Sequence, residues 1–306
     1  MAYFLYDGKE ARMSRDYKIE GYRFVGDVLW KGTAFVVKLY FKGMVLMSKV
    51  TFNKEKELLH IYSILKSNLQ KQIRRQDAHA VTTCAAMLDL DSFECLRRLA
   101  VIAFEDVEIS KETSVIVWLM AACSKGFVLT PSSRKFILNY VFSLVSHPTC
   151  MRLELDKHEE KVLEKSLSIA DIFLSDYEDK EYLAGIFFRI SYGGLTGDLP
   201  MIERLTKHIL VNKIPLKTIL ITNSETYPLV FHPACVDFHN YPTLLQIIHS
   251  DLSGKFSLEE IKKVIWKCSS GINTRHLENS EELGKWKIIQ PVFAYHTQYY
   301  LNKITS

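Results

Sequence analysis

The residues best suited to chemistry gather late in the chain. His232, Cys235 and His239 form an HxxCxxxH pattern around Asp237, upstream of His249, Cys268 and His276. Imidazole and thiolate are zinc ligands, and small sites are built from closely spaced pairs of them. The spacing is not that of a known finger, Pro233 interrupts it, and no second close pair follows. Neutral cysteine also packs readily into cores, so a buried, metal-free role competes. Asp89, Asp91 and Glu94 are a second candidate, a carboxylate set for a divalent metal in a nuclease. Here too a plainer role competes, because Asp-x-Asp ahead of a helix supplies a cap and complements the helix dipole. Cys150 after His147 lacks the third, orienting group that a cysteine nucleophile needs. The sequence has no GxSxG elbow and no GxxxxGK[ST] loop; Gly193-Gly194-Leu195-Thr196-Gly197 lacks the lysine that would follow. No cofactor is expected, no catalytic residue is assigned, and the weight falls against an enzyme.

Charge offers a different kind of site. The chain has 306 residues and a net charge of +4, too little by itself to announce a nucleic-acid partner. Its distribution is uneven: residues 1–54 hold ten bases against five acids, and the remainder is nearly neutral. Lys38, Lys42 and Lys49 belong to this run, and Lys66, Lys71, Arg74 and Arg75 follow it with no acid among them. Tyr17, Tyr22, Phe24, Trp30, Phe35, Tyr40 and Phe41 are interleaved. Cations displace counterions from phosphates and exposed aromatics stack on unpaired bases, so these seven basic residues are the candidates for contact with DNA or RNA. The competing reading has the aromatics filling a small core and the lysines protecting strand edges.

The elements that would position these groups follow from pattern. From Tyr17 to Phe52 the chain is rich in β-branched and aromatic residues broken by glycines, which predicts strands. After Asn53 the apolar residues recur at three and four, a helix period. Predicted helices cover 76–89, 92–104, 111–124, 132–145, 155–174, 180–190 and 201–211. Thr130-Pro131-Ser132-Ser133 starts one of them and His147-Pro148 stops it. Four prolines between 213 and 242 predict short elements and ordered loops. Ser257 and Glu260 have capping-box spacing. A last element over 286–301 carries Phe293, Tyr295, Tyr299 and Tyr300, expected to dock the C-terminus. The expected fold is mainly α (α+β): a basic antiparallel β segment over 1–54, a helical domain over 55–192, and a second helical layer with proline-rich loops over 193–306.

Within the helical domain, Ile73-Arg-Arg-Gln-Asp-Ala-His-Ala-Val81 is followed by Cys95-Leu-Arg-Arg-Leu-Ala-Val-Ile-Ala-Phe-Glu-Asp-Val-Glu-Ile109. This resembles the helical segment that follows the ATPase module in clamp-loader-like AAA+ proteins of the RarA/MgsA type. Arg74, Asp77, Ala78, Ala80, Arg97, Arg98, Leu99, Ala103, Glu105 and Asp106 take matching positions, whereas Arg75, Gln76, Phe104 and Glu108 depart. The resemblance covers residues 70–145. In that family the segment is an oligomerisation collar, so the resemblance implies helix packing and assembly, with Arg97, Arg98, Glu105 and Asp106 as assembly candidates. The same charges also suit a structural ion-pair network, since residues seven apart on a continuous helix share a face.

The start, MAYFLYDGKEARMSRDYK, places charges directly after a few apolar residues and does not suit a secretory signal. No apolar run approaches the length needed to span a bilayer. Six dispersed cysteines without CxxC suggest reduced, mostly buried thiols. Together these predict an intracellular protein of nucleus or cytoplasm with no membrane contact. The expected function is that of a non-enzymatic accessory or scaffold protein in replication, repair or viral genome handling. It would act through a protein partner or self-association, with DNA or RNA bound by the N-terminal segment. The competing class is a metal-dependent nucleic-acid-processing enzyme with a dispersed site.

Overall fold

The computed structural model describes residues 58–124, 128–148, 150, 166–194, 197–271 and 281–305. The expected β segment, with Lys38, Lys42 and Lys49, lies outside the described residues, as does the larger part of the helix predicted over 155–174. The described residues are mainly helical, and none of their helices is long and apolar enough to cross a membrane.

The helices are α1 (Leu58–Arg74), α2 (Ala80–Asp106), α3 (Lys111–Cys123), α4 (Pro131–Ser146), α5 (Ile169–Leu174), α6 (Lys180–Phe187), α7 (Asp198–Asn212), α8 (Leu244–Asp251), α9 (Leu258–Ile265) and α10 (Glu281–Thr305). A 3-10 turn, Phe188–Tyr192, continues α6, and a π-turn, Trp266–Ser270, continues α9. The chain forms two compact units. One joins Asn53–Leu90 to Glu225–Ser306; the other contains Asp91–Ser224. The division falls within α2, at a residue whose backbone is not helical: Asp91 has φ −161° and ψ 96°. Its Oδ1 accepts a hydrogen bond from the Glu94 N–H at 2.9 Å, so Asp91 caps a restarted helix. Of the two roles open to the Asp89/Asp91/Glu94 cluster, the capping role is the one with visible geometry. The glycine loop at 193–197, expected to separate two domains, lies inside the Asp91–Ser224 unit.

In the Asp91–Ser224 unit the most buried helix is α3, whose side chains from Glu112 to Ala122 are all inside. A helix apolar all round cannot lie on a surface. It packs on α6, and its entry is fixed by Ser110, whose N–H donates to Thr113 Oγ1 at 3.0 Å. Thr113 in turn meets the buried Tyr140 hydroxyl at 2.7 Å. Burial pushes the Tyr140 phenol up from its ordinary value, keeping it neutral. Helix α4 begins and ends where the sequence predicts: Thr130 Oγ1 accepts from the Ser133 N–H at 3.2 Å, Pro131 opens the helix, and it stops before Pro148.

In the other unit, α8, α9 and α10 enclose Leu244, Ile248, Phe256, Ile261, Val264, Ile265, Ile289 and Phe293. A second cluster joins Ile64 of α1 to Cys235, Val236 and Leu301. The capping box at Ser257 forms as predicted, Ser257 N–H to Glu260 Oε2 at 2.9 Å and Glu260 N–H to Ser257 Oγ at 3.3 Å. Helix α10 is longer than the predicted 286–301 and carries Pro291 in its interior. Proline removes one helical hydrogen bond. Buried Ile289 before it and Phe293 after it belong to one core cluster and hold both halves in line.

The Gly193 backbone lies at φ 63°, ψ −170°, a region essentially restricted to glycine. Gly197 has φ −83°, and a Cβ there would meet no atom within 4 Å. Gly193→Ala is expected to cost about 1–3 kcal/mol. Gly197→Ala should be neutral or stabilise by about 0.4–1 kcal/mol through the unfolded chain. Chemical denaturation of the two variants checks the contrast.

Candidate interaction surface

The segment from Ile214 to His232 has no regular secondary structure, yet its backbone polar groups must find partners wherever they are buried. Helix side chains supply them. In the Asp91–Ser224 unit, Leu216 N–H donates to Asp179 Oδ2 at 3.0 Å, and Ile219 N–H to Glu112 Oε2 at 3.1 Å. Ile221 N–H donates to Ser143 Oγ at 2.7 Å, and Asn223 N–H to Asn139 Oδ1 at 3.2 Å. The Tyr177 hydroxyl donates to the Ile214 carbonyl at 2.6 Å.

In the other unit the same task falls to α1. Asn68, Lys71, Gln72 and Arg75 are three and four apart and share one helix face. Asn68 Nδ2 donates to the Val230 carbonyl at 2.8 Å, while its Oδ1 accepts from the His232 N–H at 2.8 Å. Gln72 Nε2 reaches the same carbonyl at 2.9 Å. Thr83 connects both amides, accepting from Asn68 at 3.0 Å and donating to Gln72 Oε1 at 2.7 Å. Lys71 Nζ lies 2.8 Å from Asp237 Oδ2 and 2.9 Å from Ser67 Oγ. The guanidiniums of Arg74 and Arg75 donate to the Ser270 and Ser269 carbonyls at the end of the π-turn.

This geometry gives the basic residues of α1, candidates for contact with DNA or RNA, partners within the chain. Lys71 and Arg74 are buried, because the last turn of α1 is where the irregular segment and the π-turn present carbonyls and a carboxylate that need donors. Arg75 is half-buried; Lys66 is also half-buried, with its ammonium over the Tyr62 ring at 5.5 Å.

Each member of the HxxCxxxH pattern has its own task. His232 Nδ1 accepts from the Ala234 N–H at 3.0 Å, capping the 3-10 turn Pro233–Cys235. Burial, helped by the cations Arg75 and Lys71, pushes His232 down to about 4, so it stays neutral at physiological pH. Cys235 is buried, and burial pushes its thiol up to about 12. His239 is exposed and directs Nδ1 to Asp237 Oδ1 at 3.1 Å. The three do not converge, and among the described residues no group of three or more His, Cys, Asp or Glu side chains could hold a metal ion. All six cysteines are free thiols. Burial also pushes Cys123 up to about 12, leaving it a poor nucleophile.

The assembly candidates lie on the restarted part of α2. Arg97 pairs with Glu94 one turn earlier, Nε and Nη2 to the two carboxylate oxygens at 3.0 and 2.9 Å. The Arg97 carbonyl accepts from buried Arg189 Nε at 3.1 Å. Arg98 and Glu105 are half-buried, and Asp106 is buried at the helix end.

The outward-facing group that sequence reasoning missed is on α10. Phe293 enters the core, and Tyr300 stacks on Tyr241 with ring centres 4.3 Å apart while its hydroxyl donates to the Asn240 carbonyl at 3.2 Å. These two aromatics dock the helix as expected. Tyr295 and Tyr299 do not: they are 67% and 61% exposed, and Ile288 is 40% exposed. The spacing 288, 295, 299 repeats at seven and four and sets them on one face, a signal present in the sequence. Buried Ile289, Phe293, Thr297 and Leu301 line another face, so α10 is apolar on two sides.

Burial alone would raise the Asp237 carboxyl, but the hydrogen bonds from His239 and the Lys71 ammonium outweigh it and hold the group well below the ordinary carboxylate range. Removing one partner of a buried ion pair strands the other, so Asp237→Ala is expected to cost about 3–5 kcal/mol. The double change Lys71→Met with Asp237→Leu should recover most of that loss. Because the folded value is depressed, the contribution of Asp237 is complete above about pH 4 and fades as pH falls through the folded value. Thermal unfolding from neutral to acid pH should show the gap between wild type and Asp237→Ala closing only at the acid end.

No known protein family matches the chain, no curated protein matches it, and no solved structure matches its fold.

Proposed function

We propose that this chain is a non-enzymatic accessory or scaffold protein that works through protein assembly, with α10 supplying the contact. The observation that carries the reading is the outward face of that helix. A helix docked by one apolar face has no folding reason to keep a second, and tyrosines on a rigid helix are efficient interface residues. The resemblance of residues 70–145 to an oligomerisation collar supports assembly from a separate direction. The basic run over 1–54 supports DNA or RNA as a further ligand, in replication, repair or viral genome handling.

Light scattering at micromolar concentration tests assembly. The chain, alone or with candidate partners, should exceed the monomer mass, and Tyr295→Asp with Tyr299→Asp should remove the excess without lowering Tm, since both side chains are exposed. A monomer under all these conditions rejects the reading. For nucleic acid, Lys38→Glu with Lys42→Glu should weaken binding and flatten its salt dependence. Lys71→Glu belongs outside that test, because it would place a second carboxylate beside Asp237 and destabilise the fold. Affinity indifferent to salt and to the reversals at Lys38 and Lys42 rejects nucleic acid as the ligand.

A further inference from the structure

We infer that residues 218–222 form an exposed strand edge through which two copies of this chain pair, antiparallel and centred on Leu220. This contact is separate from the α10 face and goes beyond the proposed function. Four alternate residues of the segment turn backbone groups toward the helices: the Lys217 carbonyl accepts from the Lys111 N–H at 2.9 Å, and the N–H groups of Ile219, Ile221 and Asn223 donate to Glu112, Ser143 and Asn139. A period of two is the mark of extended backbone. The acceptors agree with it, since Ser143 and Asn139 are one turn of α4 apart, about 6 Å, and two residues of strand advance about 6.6 Å. Extended backbone sends the polar groups of the intervening residues, Thr218, Leu220 and Thr222, to the opposite edge. Among the described residues none hydrogen-bonds the N–H or C=O of these three, and all three are exposed.

The sequence of the edge selects its occupant. A row of unpaired N–H and C=O groups is a template for another strand, and edges are ordinarily blunted by lysine, proline or a bulge. Thr218-Ile-Leu-Ile-Thr222 has no charge and no proline, and most of it is β-branched. It is also a palindrome. An antiparallel copy centred on Leu220 therefore sets Thr218 against Thr222, Ile219 against Ile221 and Leu220 against itself, and threonine pairs and apolar pairs are both favourable across strands. In that register residues 218, 220 and 222 occupy the hydrogen-bonded positions of both strands, so about six backbone bonds form. Lys217, whose ammonium is held by Glu108 at 2.9 Å, falls opposite Asn223, and no like charges meet. A twofold axis closes the contact at two copies. An edge this short buries much less than the roughly 800 Å² per partner of a standard interface. The pair is therefore weak, with Kd on the order of 0.1–1 mM, and stays dissociated at the micromolar concentrations that test α10.

The test is sedimentation velocity of the full-length chain carrying Tyr295→Asp with Tyr299→Asp, which removes the α10 contact, from about 20 µM to about 1 mM. The sedimenting mass should rise from monomer toward dimer and no further. Leu220→Lys and Leu220→Glu, each added to that background, should hold the chain at monomer over the same range, because the twofold axis sets like charges directly opposite. Circular dichroism and Tm should not change, since Leu220 is exposed. An equimolar mixture of the two variants should regain the dimer, because opposite charges then face each other. A monomer at every concentration, a dimer indifferent to both changes, a mixture that stays monomeric, or species larger than a dimer overturns the inference. Binding of a fluorescent peptide Lys-Thr-Ile-Leu-Ile-Thr-Asn by a chain that itself stays monomeric also overturns it, in favour of a strand from another protein. Micromolar assembly that is lost on the tyrosine changes stands whichever way the edge behaves, and a dimer that depends on Leu220 stands if that assembly is absent.

Discussion

An irregular stretch of chain has to satisfy its own backbone, and much of this structure is arranged around that requirement. Between Ile214 and His232 the chain is neither helix nor strand; a few of its backbone groups meet helix backbone, as the Lys217 carbonyl meets the Lys111 N–H, and for others helices reach across with side chains. Asp179, Glu112, Ser143 and Asn139 do this in one unit; Asn68 and Gln72 do it in the other. A buried polar group left without a partner costs about 1–3 kcal/mol, and whole domains are stable by only about 5–15 kcal/mol. A handful of such bonds is therefore comparable in size to the entire margin of stability. It explains why carboxylates and amides occupy buried helix faces that apolar residues would otherwise fill.

The same requirement decides what happens to the charges. The last turn of α1 faces the Asp237 carboxylate and the carbonyls that close the π-turn, and three of its cations are recruited to them. Residues that resemble a basic patch thereby become internal fastenings. Asp237 connects the ammonium of Lys71 to the ring of His239, and His232 and Cys235 on the same loop are held by capping and burial. Polar chemistry concentrated in one loop is used to order that loop. Tyr295, Tyr299 and Ile288 of α10 are, by contrast, among the apolar side chains left facing outward.

Much of the fold was legible in the sequence where the determining interaction is local. The start of α4 at Thr130-Pro131, its end before Pro148, and the Ser257–Glu260 box all involve residues within four positions of each other. Their geometry follows from side-chain chemistry alone. The restart at Asp91 is local too, and two predicted helices meeting there were visible as separate periods. The pairing of Arg97 with Glu94 is another i, i+3 contact, shorter in range than the spacing from Arg97 to Glu105. Tyr295 and Tyr299 were legible as a pair on one face; which way that face points was not, because α10 offers apolar residues on two sides.

The sequence by itself therefore determined the mainly helical character, the helix ends set by nearby caps and prolines, and the presence of an ordered, proline-punctuated stretch after residue 213. Tertiary structure alone decided which polar residues face inward. Lys71 and Asp237 are 166 residues apart, Asn68 and Val230 are 162 apart, and Glu112 and Ile219 are 107 apart. No local pattern encodes such pairs. A lysine on a helix is the same residue to sequence reading whether water or a buried carboxylate awaits it, and only the folded chain supplies the carboxylate.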